Sequence, residues 1–255
     1  MYLSQKADVM KKIVSFGGGT NSAAMLINMV YLNIIPEAIL FSDTGGEHPY
    51  TYEFINTFDS WLKQKNFPSI TVLKYSNKDG QILTLEQDCL NNNTIPPIAF
   101  GWKTCSQKFK ILPQEKYIKN KYQNEIIELF IGFDCDEQRR MRENPNKNFI
   151  NKYPLIEWNW NRQKCIEVIQ AEGLSKAGKS SCFFCPNMKR NEILSLPKDL
   201  QDRCIAMEKN ATKLAELKGL GRNKSWTEII EADRNQLKIE WQEEDWHEIS
   251  CECIE

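Results

Sequence analysis

Three groups of residues in this chain have the types and spacing to do chemistry. Nine cysteines in 255 residues is a high and odd number, and two of them form the turn Cys182-Phe-Phe-Cys185. Two thiolates two residues apart converge on one metal, but zinc or iron takes about four ligands, so partners must come from elsewhere in the chain. Cys251-Glu-Cys253 is the other close pair, whereas Cys89, Cys135, Cys165 and Cys204 are singletons in patterned segments and read as small core hydrophobes. The second group is Ser15-Phe-Gly17-Gly18-Gly19-Thr20-Asn21-Ser22. Its glycines let the backbone turn tightly, and successive N–H groups leading into a helix make a concavity suited to phosphate. No Gly-Lys-Ser/Thr closes it as in a Walker A loop, and the third glycine of the dinucleotide fingerprint is missing. The third group is Asp43-Thr44-Gly45-Gly46-Glu-His48. Asp43, expected to be exposed at a strand end, either meets a ribose or a metal or makes an Asx turn into the next helix. His48 borders the same segment and His247 sits in an acidic stretch; with only two histidines, neither a His-rich metal site nor a Ser-His-Asp arrangement is available.

These residues must be held by something, and the first 75 positions alternate regularly. Lys12–Phe16, Glu37–Phe41 and Ile70–Tyr75 read as buried strands, Asn21–Tyr31 and Tyr50–Lys65 as helices. In the second helix Tyr50, Phe54, Phe58, Trp61 and Leu62 share one face. Strands alternating with amphipathic helices mean βαβ units, so the expected fold is α/β: a Rossmann-like open parallel sheet flanked by helices, with its ligand site beyond the carboxyl ends of the strands. Residues 76–112 are punctuated by Asn, Gly and Pro and read as loops and short helices. Pro113–Tyr122 reads as a helix, Ile126–Ile131 as a strand and Arg162–Ala171 as a helix, and beyond Pro186 the pattern is helical almost to the end. We therefore expect a nucleotide-binding α/β domain over 1–180 and the Cys-x-x-Cys segment with a mostly helical region over 181–255.

Composition narrows the class. Hydrophobic residues at 41% and charged residues at 26% are those of a folded globule. A formal net charge of -1 gives no global basic field for nucleic acid or an anionic membrane, although the last twenty residues hold seven acids against one Lys. No apolar leader or spanning stretch is visible, so a cytoplasmic location is expected.

Gly17–Ser22 resembles the PP-loop (Ser-Gly-Gly-x-Asp-Ser) of the N-type ATP pyrophosphatases and the phosphoadenylylsulfate (PAPS) reductases, with the usual Lys and Asp replaced by Thr20 and Asn21. Further segments continue the resemblance in family order. Asp43-Thr44-Gly45 followed by Pro49 and a helix resembles the Asp-Thr-Gly segment of PAPS reductases. Cys105-Ser-Gln-Lys-Phe-Lys110-Ile-Leu-Pro113 resembles the Cys, Lys, Pro helix opening and puts a thiol and two cations near the pocket. Gly132-Phe-Asp134-Cys-Asp-Glu137 resembles the Gly-x-Arg-x-x-Glu segment, with Asp134 where Arg is common, so that Arg140 or Arg142 must supply the charge. Tyr153-Pro-Leu-Ile-Glu-Trp158 matches the Pro-Leu-x-x-Trp connector.

The resemblance implies a PAPS reductase-like enzyme that binds ATP, or PAPS or its 3′-dephosphorylated form APS, over Ser15, Gly17 to Ser22, Asp43 to Gly45, Gly132 and Arg140. It would cleave ATP between the α and β phosphates, with Mg2+, and couple the adenylation to sulfur transfer, with Cys105 and Cys253 as the sulfur-handling thiols. Relatives use a Cys-x-x-Cys in this region, with other cysteines, for an iron–sulfur cluster; here that implies Cys182 and Cys185 joined by Cys105, around a cluster or Zn2+. Two rivals stand beside this reading. One is thiol-dependent reduction of PAPS or APS to sulfite, although only Glu252-Cys253 of the usual C-terminal Glu-Cys-Gly-Leu-His remains. The other is a non-catalytic nucleotide-binding subunit of a DNA-modification or phage-defence complex. Expected partners are an adenine nucleotide, a sulfur-donor protein or a thioredoxin-like reductant, with nucleic acid as a sulfur acceptor unsupported by net charge.

Overall fold

The computed structural model describes residues 10–236 apart from 124, 176 and 179. In chain order the elements are β1 Lys11–Phe16, α1 Thr20–Tyr31, β2 Ala38–Asp43, α2 Pro49–Gln64, β3 Ile70–Lys74, α3 Leu85–Asn91, α4 Thr104–Ser106, α5 Leu112–Lys121, β4 Ile127–Ile131, β5 Phe149–Lys152, α6 Pro154–Glu157, α7 Arg162–Ala171, α8 Arg190–Leu194, α9 Lys198–Asn210 and α10 Trp226–Gln236. A wide helical turn over Gln107–Ile111 makes α4 and α5 one continuous rod.

The strands pair in the order β3-β2-β1-β4-β5, all in parallel. The period of two along the strands assigns the faces. Val14, Phe16, Ile39, Phe41 and Phe130 point to one side, under α1, α2 and α7; Ile13, Ala38, Leu40 and Ile127 point to the other, under Ile118 of α5. Helices on both faces of a parallel sheet are the α/β arrangement expected from the sequence. The chain runs outward from β1 through β2 to β3, then returns to place β4 on the other side of β1. That reversal leaves a crevice at the carboxyl ends of β1 and β4, where doubly wound sheets take their ligands.

Two parts differ from the sequence reading. β5 went unforeseen because Phe149-Ile-Asn-Lys152 is short and half polar, the composition of an edge strand rather than of the buried ones. The helical pattern beyond Pro186 is broken at 211–225, where Ala215 and Arg222 take left-handed backbone and Gly219 and Gly221 sit in tight contact with Glu208 and Lys224. The C-terminal helices share a hydrophobic cluster with Leu85, Cys89, Ile95, Ala99 and Phe109, and Cys182, Phe183 and Phe184 lie inside it. No helix among the described residues is long and apolar enough to cross a membrane.

Candidate active site

The crevice between β1 and β4 is a cleft of about 710 Å³. Ser15, Gly17, Gly19, Thr20, Asn21, Ser22, Gly132 and Arg140 line it, so most of the nucleotide-binding residues expected from the sequence come together there. α1 begins at Thr20 directly behind the glycines, and its N-terminus has no side-chain cap. The N–H groups of a first helical turn have no partner within the helix, so this end of the cleft offers donors and the positive end of the helix dipole. Ser22 Oγ accepts from Gly17 N–H at 3.2 Å and donates to Gly19 C=O at 3.2 Å, which fixes the loop in its curve. Gly132 closes the other wall. A Cβ there would stand 2.7 Å from Ser22 Cα, so only glycine lets the end of β4 press against the first turn of α1.

Thr20 and Asn21, which replace the PP-loop Lys and Asp, have their side chains engaged. The Thr20 hydroxyl donates to Ala177 C=O at 2.9 Å. The Asn21 amide donates to Asp134 at 2.8 Å and to Glu137 at 3.2 Å, and its Oδ1 is buried without a partner among the described residues. Arg140 lies over the Phe133 ring at 4.0 Å and pairs with Glu137, so its charge is already answered. Arg142 turns back on its own chain, donating to the carbonyls of Arg139 and Met141. Neither arginine stands as the free phosphate cation that the sequence asked of them. Two other cations line the cleft: Lys110, and Arg162 at the start of α7, 3.5 Å from the Thr20 hydroxyl. Lys110 belongs to a segment the sequence had singled out. Arg162 went unnoticed, since a single arginine at a helix start carries no signal in sequence.

Asp43, Thr44 and Gly45 do not line the cleft. Asp43 is not exposed: Oδ1 accepts from Gly45 N–H at 2.8 Å and from the Tyr52 hydroxyl at 2.7 Å, with Lys74 Nζ 4.0 Å from Oδ2. This is the Asx turn, and burial together with the hydrogen bond to Asp43 raises the Tyr52 phenol above its ordinary value. Gly18 likewise faces away from the cleft, toward Phe41, Ile55 and Thr51.

Residues 177, 178 and 180–185 join the two halves of the site. Ala177 C=O accepts from Thr20, the Ser180 hydroxyl donates to Gly17 C=O, Phe183 N–H donates to Gly46 C=O at 2.8 Å, and Cys182 pairs with Glu47 as an antiparallel bridge. Cys182 Sγ lies 3.2 Å from Thr44 Oγ1, which is 3.4 Å from Glu47 Oε1, and Lys110 Nζ donates to that same oxygen at 2.9 Å. Burial would lower the Lys110 ammonium, but the Glu47 carboxylate and the neighbouring thiols leave it above the ordinary lysine value. Burial, and next the Glu47 carboxylate, push the Cys182 thiol up to about 12, so it rests protonated. Lys110 thus faces both the cleft and the Cys182 environment.

Cys182 is buried; Cys185 and Cys105 are half-buried at the border of the same apolar cluster. Among the described residues no three His, Cys, Asp or Glu side chains stand close enough to hold one metal ion. Three thiols around one apolar cluster are nonetheless the donor chemistry of an iron–sulfur cluster, which holds its ligands farther apart than one ion does. Cys253 and His247 lie outside the described residues, whereas His48 is buried and stacks on Tyr50 at 4.9 Å instead of facing the cleft. Cys89, Cys165 and Cys204 are buried, as expected of core thiols, and Cys135 is half-exposed.

Several known proteins are similar to this chain. The chain is 25% identical over 211 residues to "Uncharacterized nin region protein ORF290" of Escherichia phage lambda, covering 72% of this chain and 68% of that protein. It is 23% identical over 224 residues to "Uncharacterized protein MJ0066" of Methanocaldococcus jannaschii, covering 82% of this chain and 43% of the archaeal protein. Among solved structures it is similar to the U34-tRNA thiolase NcsA from Methanococcus maripaludis with its 4Fe-4S cluster, at a TM-score of 0.46 and 14% identity, over 90% of this chain and 73% of that one. The phosphoadenosine phosphosulfate reductase domain model matches residues 11–178, the stretch that carries the sheet, the glycine loop and the cleft, and the chain belongs to that family.

Proposed function

We propose that the protein is an adenine-nucleotide-dependent enzyme that cleaves ATP between the α and β phosphates and couples the adenylation to sulfur transfer. The observation that carries this reading is the uncapped N-terminus of α1 behind Gly17–Gly19, opening into the cleft at the β1/β4 reversal. The N–H groups of that turn take the charge that develops on departing pyrophosphate, and Arg162 supplies a cation that Thr20 no longer does. Leu129, Ile131 and Phe149 provide an apolar floor that keeps water from the reacting phosphate. Cys105, Cys182 and Cys185 are the residues to hold an iron–sulfur cluster, which when bound supplies sulfur-ligated iron to the neighbourhood of the cleft. With Cys105 in that donor set, Cys253 is the thiol left to this reading for handling sulfur.

One observation favours a second reading. The amide of Asn21 is held by Asp134 and Glu137 where the family carries an ionised Asp, which suits a nucleotide-binding subunit without turnover. Anaerobic assays separate the readings. Release of pyrophosphate from ATP supports the proposal, sulfite from PAPS or APS without pyrophosphate replaces it by reduction, and tight nucleotide binding with neither product leaves the non-catalytic subunit.

A further inference from the structure

Gln114 is a polar residue in an apolar stripe. It lies in the first turn of α5, is only 9% exposed and lines the cleft, yet its side chain makes no hydrogen bond among the described residues. Ile111, Gln114 and Ile118 follow one another at spacings of three and four, so they share one face of the rod that α4 and α5 form. All three line the cleft, beside the apolar floor of Leu129, Ile131 and Phe149. A leucine would continue this stripe, whereas a buried amide without a partner loses its hydration uncompensated. A ligand in the cleft is what can supply the missing partners, and a few polar groups set in an apolar pocket are what fix a ligand's orientation.

We infer that Gln114 is a specificity-determining residue that reads the base of the bound nucleotide and selects adenine. This rests on the nucleotide reading above and adds to it the side chain that tells one base from another. With the phosphates held at the glycine loop, the apolar part of the cleft is left for a flat heterocycle. Adenine presents its 6-amino group beside a ring nitrogen, a donor next to an acceptor. The Gln amide is the complement of that pair: Oε1 accepts from the amino group while Nε2 donates to the ring nitrogen. The apolar neighbours keep water from competing for the two bonds, so a base without the amino group leaves Oε1 unpaired and is rejected.

The test is calorimetric titration of the full chain with three probes: ATP, purine riboside 5′-triphosphate, which lacks only the 6-amino group, and inorganic triphosphate, which reads the phosphate site alone. The wild-type chain should bind ATP at least about tenfold tighter than purine riboside triphosphate. Gln114→Met keeps the length of the side chain and removes both hydrogen-bonding groups. It should bind the two nucleotides within about twofold of each other, with the affinity for inorganic triphosphate unchanged and a melting temperature no lower than that of the wild type. Gln114→Leu should give the same pattern, which keeps the test open if one variant fails to fold. A folded variant that still prefers ATP as the wild type does, or a wild-type chain that binds both nucleotides alike, overturns the inference and leaves the nucleotide reading standing. A folded wild-type chain that binds neither nucleotide overturns the nucleotide reading and the inference with it.

Discussion

At Gly18 the backbone is left-handed, with φ of +73°, and an added Cβ would stand 3.1 Å from the Phe41 ring and 3.2 Å from Ile55. At Gly17, one residue earlier, the nearest neighbour of an added Cβ is Ser22 Oγ at 3.8 Å. The two glycines therefore separate folding from binding. Gly18→Ala should cost about 1–2 kcal/mol in chemical denaturation from the left-handed backbone alone. Gly17→Val, which adds its bulk at the wall of the cleft, should leave the melting temperature within about 2 °C and weaken nucleotide binding at least tenfold, because the fold has room there and a bound phosphate does not. Asp43 belongs with Gly18. Its carboxylate is engaged by Gly45 and Tyr52, so Asp43→Ala should destabilise by about 1–3 kcal/mol, read from the urea midpoint. A sequence shows that Gly17 to Gly19 form a turn, but which of them faces phosphate depends on what packs behind it. Glu47 was equally hidden, for nothing in Gly-Gly-Glu-His says that its side chain turns inward to Lys110.

Elements were more legible than side chains. The three strands and two helices of the first 75 residues lie within about two residues of the boundaries that periodicity suggests; all but β3 bury a continuous apolar face, and β3, expected to be buried, is an edge strand whose Val72 is exposed. The C-terminal region was harder, since what breaks it at 211–225 is held by long-range contacts. Arg222 donates to the carbonyls of Ile98, Ala99 and Pro186, and Glu208 on α9 accepts from Leu220, Trp226 and Thr227 N–H and from the Thr227 hydroxyl, at 2.6 to 2.8 Å. Glu208 thereby caps α10 from outside its own segment. Glu208→Gln keeps the shape but loses the charge and an acceptor, and should cost about 2–3 kcal/mol. Hydrogen exchange over 211–236 should accelerate while nucleotide affinity stays constant; uniform acceleration across the sheet would refute this local role.

On the scale of the whole molecule, the second hydrophobic cluster draws on both 85–109 and 182–230, and so brings Cys105 to the same apolar surroundings as the Cys-x-x-Cys turn, 77 residues later in the chain. Both clusters bury thiols away from the cleft. Burial pushes Cys89 in this cluster, and Cys165 of α7 in the cluster under α1, up to about 12. In the unfolded chain such thiols ionise near about 8.5. The unfolded state therefore gives up its protons first: this contribution to stability is fully present below about pH 8.5 and is lost as the pH rises from there toward 12. The urea midpoint should fall between pH 7.5 and pH 10, and Cys165→Ala, less stable at pH 7.5 because of its cavity, should show a shallower fall. The sheet order, with β1 flanked by β2 and β4, matters most for function, since it opens the cleft above the glycine loop. The most direct test of that assignment is calorimetric titration of the full chain with ATP, in parallel with Gly17→Val. Saturable binding at one site per chain, weakened at least tenfold in the folded variant, is the result expected; no binding, or the same affinity in both proteins, would contradict it.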